Sequence, residues 1–172
     1  KGIWEAISNY GKYRQQKGDT LYRRSMYTVW KRTAPPPMML NFDASERHFC
    51  AVKRQKTSTP LQALVIMNDP QFVEASRVLA QQMIQKGKTR EERIDYAFMA
   101  LAGRPARREE TAILTDLYAG EYESFLESPE KARQLLSVGE FPVDRSIAPA
   151  ELAATTIMVS TVMNFDEFVI KR

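Results

Sequence analysis

The sequence predicts a mostly α-helical protein, an irregular multi-helix domain preceded by an extended, proline-containing N-terminal segment. Three observations carry this. From Thr59 onward, capping signals are followed repeatedly by apolar residues at helical spacing. The first 58 residues lack that regularity and contain Pro35-Pro36-Pro37. No apolar run approaches the roughly 18 residues that a membrane span needs.

The element order follows from local chemistry. Thr59-Pro60-Leu61-Gln62 is a helix start, with Thr59 as cap, Pro60 at the first helical position and Gln62 completing a capping box. Leu61 to Met67 is apolar almost all round, which predicts burial on most sides. Asn68-Asp69-Pro70 interrupts it, and Asp69 is placed to cap a second helix from Pro70. That helix carries Phe72, Val73, Leu79, Ala80, Met83 and Ile84. A single kinked helix is the alternative. Thr89-Arg90-Glu91-Glu92 is a second capping box, followed by the stripe Ile94, Ala97, Phe98, Leu101 and a glycine cap at Gly103.

After Arg104-Pro105, a longer helix is expected through Ile113, Leu114, Leu117, Tyr118, Tyr122 and Phe125. Ser128-Pro129 opens a short one with Ala132, Leu135 and Leu136 inward. Residues 137–148 read as a loop with Gly139 and Pro142. Pro149 opens the last helix, to about Met163. Its Thr, Val and Ile content makes a strand the competitor, but length and the proline start favour helix. In the front part, Tyr22, Met26, Val29, Trp30 and Thr33 suggest a short helix with these side chains in the core. The three prolines read as a stiff connector. The domain organisation expected is one domain over 1–172, with a basic, irregular 1–58 and a helical core over 59–172.

Composition excludes several classes. The chain has 172 residues, 44% hydrophobic, so it can bury a core and is not disordered. One Cys and one His exclude an internal disulfide and a multi-cysteine metal site. His48 and Cys50 are too close and lack a third orienting group, so a nucleophilic pair is disfavoured and Cys50 is expected as a small buried hydrophobe. No glycine-rich phosphate loop and no Gly-x-Ser-x-Gly elbow occurs. The pairs Glu109-Glu110 and Asp166-Glu167 read as helix-dipole partners. No metal is expected.

The net charge of +4 conceals an asymmetry. Residues 1–60 hold 12 Lys/Arg against 4 Asp/Glu, net +8; residues 61–172 hold 13 against 17, net −4. The basic half peaks between Arg47 and Thr59, where Lys53, Arg54 and Lys56 place three cations in four residues beside a helix start. Arg47, Lys53, Arg54, Lys56 and Thr57 are therefore the candidate anion-binding residues. The competing reading has Arg47 and Arg54 paired internally with Asp43 or Asp69. Tyr22, Arg23, Arg24, Tyr27, Trp30, Lys31 and Arg32 loosely interleave cations with aromatics, as single-stranded nucleic-acid sites do.

LYRRSMYTVWKRTAPPPMMLNFDASER (Leu21 to Arg47) and VKRQKTSTPLQALVIMNDPQFVEASRVLA (Val52 to Ala80) resemble two signature stretches of the domain of unknown function 1553. AGRPARREE (Ala102 to Glu110) and ELAATTIMVSTVMNFDEFVIKR (Glu151 to Arg172) resemble its C-terminal part. The family is planctomycete-type and bacterial, often attached to cytochrome c modules. The resemblance implies an exported parent, periplasmic or cell-surface, of which this chain, opening on Lys1, is the C-terminal portion. It brings no reaction and no catalytic residues. Its motif positions here are Arg23, Arg24, Trp30, Lys31, Arg32, Asp43, Arg54, Thr57, Thr59, Asn68, Asp69 and Arg104, with Pro60 and Pro70 as the adjoining helix starts. Haem c would belong to an attached module, since no Cys-x-x-Cys-His occurs here. No cofactor is expected in this chain.

Three functions are compatible with these residues. The first is a helical scaffold or interaction module, packed on the rest of its parent and contacting anionic polysaccharide. The second is part of an enzyme acting on sulfated or acidic saccharide, or in redox chemistry, with its site completed upstream. The third is nucleic-acid binding through the basic front, which the placement of the aromatics in the core disfavours.

Overall fold

The computed structural model describes residues 14, 16–31, 34–45, 50, 52–53 and 56–170. The chain divides into two compact units, Lys1–Gln62 and Ala63–Arg172. Among the described residues the regular structure is helical.

In the first unit, two 3-10 turns span Gly18–Tyr22 and Ser25–Tyr27. They replace the α-helix expected around Tyr22–Thr33. Arg23 (φ −68°, ψ 149°) and Arg24 (φ −54°, ψ 141°) are extended and separate the turns, so no 3.6-residue stripe forms. Tyr22, Met26, Tyr27 and Val29, expected in the core, are consequently exposed, while Trp30 is half-buried. Thr33 lies outside the described residues. Pro37 is not part of an extended connector: it starts the one-turn helix α1 (Pro37–Asn41), where a missing N–H costs nothing.

Helix α2 (Pro60–Asn68) starts at the reciprocal cap that Thr59 and Gln62 form. Thr59 N donates to Gln62 Oε1 at 3.0 Å and Gln62 N to Thr59 Oγ1 at 3.3 Å. α2 is not buried on most sides: Gln62 and Ile66 are buried, but Leu61, Leu64 and Met67 are exposed. Asn68 donates its Nδ2 back to Leu64 O at 2.8 Å. Asp69, extended at ψ 129°, accepts from Gln71 N at 2.8 Å and caps α3 (Pro70–Lys86), so two helices form here.

The second unit is built around α7 (Pro149–Met163). It packs against α3, α4 (Arg90–Leu101), α5 (Arg108–Glu127) and α6 (Pro129–Leu136). Its Leu152, Ala153, Ala154, Thr155, Thr156, Met158, Val159, Val162 and Met163 are all buried. Nine buried side chains in fifteen residues leave it no polar face, the pattern of a helix enclosed by others. The competing strand does not form, and the threonine hydroxyls find partners within the helix. Thr155, Thr156 and Thr161 donate to the carbonyls of Glu151, Leu152 and Ile157 at 2.8, 2.7 and 3.0 Å. Around it, α3 packs on α4, α4 on α5 and α5 on α6, with Met83, Ile94, Phe98, Leu114, Ala132 and Leu136 buried. Ile113, expected on the inner stripe of α5, is exposed, and Leu114 takes the inward position. A short helix, α8 (Asp166–Val169), follows and packs on α7. No helix among the described residues is long and apolar enough to cross a membrane.

Candidate functional site

The basic segment of the first unit is anchored by a carboxylate. Asp43 has a positive φ of 57°, a conformation that Asp tolerates better than most residues. Its side chain accepts from Thr57 N at 2.6 Å and from Thr57 Oγ1 at 2.9 Å. Gln62 Nε2 donates to Thr57 Oγ1 at 3.1 Å and to Asn41 O at 2.7 Å. Gln62 is buried, so this network rests on a fixed base. These bonds join positions 43 and 57, tying the two ends of the segment between them.

That loop contains Arg47, Lys53, Arg54 and Lys56 with Glu46 as its acid, net +3 with His48 neutral. Cys50, Val52, Lys53 and Lys56 are exposed. Cys50 is thus not the buried filler expected from its residue type. Arg47, Arg54 and His48 lie outside the described residues. Of the five candidate anion contacts, Thr57 is at the base of the loop, bonded to Asp43, and Lys53 and Lys56 are on its exposed course. Neither carboxylate considered as an internal partner is idle: Asp43 holds Thr57, and Asp69 caps α3.

In the second unit, Arg104 ties two of the quoted stretches together. Its Nη1 and Nη2 grip both oxygens of Glu110 at 2.8 and 2.7 Å, and its Nε donates to Glu167 Oε2 at 2.8 Å. The guanidinium lies 5.0 Å from the centre of the Phe98 ring, and Phe98 meets Phe165 edge-on at 5.7 Å. A planar fork suits this double carboxylate grip. Arg104 holds the Glu110 carboxyl down at about 2, well below its usual 4.5, aided by Arg107 N donating at 2.7 Å. The same bonds raise the already high pKa of Arg104. Arg104 thus joins the α4–α5 turn to α8.

A third constellation was not read from the sequence. Glu74, Arg77, Gln81 and Gln85 occupy one face of α3 and hold the loop after α6. Glu74 accepts from the amides of Glu140 and Phe141 at 3.0 and 2.7 Å. Arg77, 1% exposed, donates to the carbonyls of Phe141 at 2.7 Å and of Val138 and Pro142 at 3.4 Å. Gln81 accepts from Asp144 N at 3.1 Å, and Gln85 donates to Asp144 Oδ2 at 2.8 Å. Gly139, at φ 93°, passes so close to Glu74 that a Cβ would overlap its carboxylate. The available signal was the spacing 74, 77, 81, 85, which puts four polar groups on one stripe of the helix.

Among the described residues, no three His, Cys, Asp or Glu side chains cluster as metal ligands. The lone cysteine offers no thioether pair for haem. Fold and site together define an α-helical module with a tied basic loop and internal polar braces. The chain belongs to the family described as protein of unknown function DUF1553 (PSD1), whose model matches residues 5–118. The matched span includes the Asp43–Thr57 tie and the Arg104–Glu110 grip, and ends within α5, before α7. No curated protein and no solved structure matches the chain.

Proposed function

We propose that this chain is an interaction module of an exported bacterial protein, and that its tied basic loop contacts an anionic polysaccharide. The observation that carries this is the Asp43–Thr57 closure, which fixes the base of a loop of net charge +3 while Lys53 and Lys56 stay exposed. A tied base lowers the ordering cost of binding, and exposed cations supply attraction to an anionic polymer. Export follows the family resemblance, as does haem in an attached module of the parent. The rest of the parent polypeptide is the other expected partner.

The test compares two double variants of equal net charge. Lys53→Glu/Lys56→Glu reverses the loop, and Lys88→Glu/Lys131→Glu reverses two exposed lysines of the second unit. The loop variant should bind heparin and polygalacturonate roughly tenfold more weakly than the control, about 1.4 kcal/mol. Equal weakening in both variants would reduce the loop to non-specific charge.

A further inference from the structure

We propose a second contact surface in the first unit: a paired tyrosine–arginine patch at Tyr22-Arg23 and Arg24–Tyr27 that takes the ring faces of an acidic polysaccharide. It rests on the polysaccharide reading above and adds to it which features of the polymer are recognised. The two 3-10 turns each end on a tyrosine. Tyr22 is followed directly by Arg23, and Tyr27 N donates to Arg24 O at 2.9 Å, closing a turn that brings Arg24 and Tyr27 together. Each turn thus has a tyrosine as its last residue and an arginine directly flanking it, Arg23 after the first turn and Arg24 before the second. Tyr22 is 50% and Tyr27 66% exposed, beside Met26 at 69% and Val29 at 72%.

Charge decides the sign of the ligand. The first turn holds one acid, Asp19, and from Thr20 to Phe42 the sequence contains no Asp or Glu against Arg23, Arg24, Lys31 and Arg32. Arg23 and Arg24 are exposed and have no carboxylate partner among the described residues. Two guanidiniums in this state favour carboxylate or sulfate, which they grip through two N–H groups. The rings decide the rest: exposed tyrosines with apolar neighbours suit the flat C–H face of a pyranose, whose edge carries the acid. A nucleic acid has a phosphate at every residue and is met by cations tracking its backbone. Here two tyrosines bracket just two arginines, a sparser pattern suited to an acid group beside each ring.

The experiment measures binding of the full chain to polygalacturonate, to its methyl-esterified form, to inorganic sulfate and to oligodeoxythymidylate. Neither turn contains a buried residue, so changing the rings removes no core. Tyr22→Ala/Tyr27→Ala should lose at least tenfold in polygalacturonate affinity and leave sulfate binding unchanged. Tyr22→Phe/Tyr27→Phe should retain the wild-type affinity. Arg23→Gln/Arg24→Gln should erase the preference for the free acid over the ester. If the alanine pair binds polygalacturonate as wild type does, or if oligodeoxythymidylate binds more tightly than polygalacturonate, the proposal is overturned. The Lys53/Lys56 variant separates the two readings: an effect there without one at the tyrosines sinks the patch alone, and the reverse sinks the loop alone.

Discussion

Gly139 shows how much a single residue type can be asked to do. Its φ of 93° is open to glycine and strained for L side chains, and its missing Cβ leaves the space that the Glu74 carboxylate fills. Gly103 shares the positive φ, at 75°, but nothing lies near its absent Cβ. The two therefore separate strain from collision. Gly103→Ala should cost about 1 kcal/mol, the backbone part alone. Gly139→Ala should cost on the order of 3 kcal/mol, because displacing Glu74 also strips the amides of Glu140 and Phe141 of their buried acceptor. Urea midpoints of the two variants check this, and equal losses would show that the carboxylate moves aside freely.

At the scale of elements, the Arg104 grip has a pH signature. Glu110 is held near 2 in the folded chain, below its ordinary 4.5. A lowered carboxylate pKa adds stability that is complete above about pH 4.5 and is lost as pH falls toward 2. Arg104 stays charged throughout, so within the Arg104–Glu110 pair the loss tracks Glu110. Wild type should thus lose more stability between pH 5 and pH 3 than Glu110→Gln does, as read by urea unfolding at each pH. Which elements could be read in advance follows from the range of their determinants. The caps at Thr59, Asp69 and Thr89 and the starts at Pro60, Pro70, Pro129 and Pro149 act over three or four residues, so local sequence reveals them. The brace from α3 joins residues more than 60 positions apart, and only the fold shows that Glu74 and Arg77 face backbone. The front segment misled because its spacing of Tyr22, Met26 and Val29 fits a helix, while two extended arginines break the backbone between turns. In the candidate loop the cations were legible, but the tie from Asp43 to Thr57 across fourteen positions was not.

At the scale of the whole molecule, the core of the second unit depends on a helix outside the matched family span. Residues 5–118 carry α3, α4 and most of α5, whose buried Met83, Ile94, Phe98 and Leu114 pack around α7. A chain ending at Tyr118 should show no cooperative thermal transition and should bind a hydrophobic dye, whereas one ending at Ile170 should melt sharply. A sharp transition in the shorter chain would show that α3 to α5 pack without α7. The position of α7 also sets a timetable for synthesis. Its last buried residue, Met163, is made some 80 residues after Met83, so the ribosome releases four apolar helix faces before their common partner exists. The second unit must therefore close late, by contacts distant in sequence, and the nascent helices depend in the interval on each other or on a chaperone for cover.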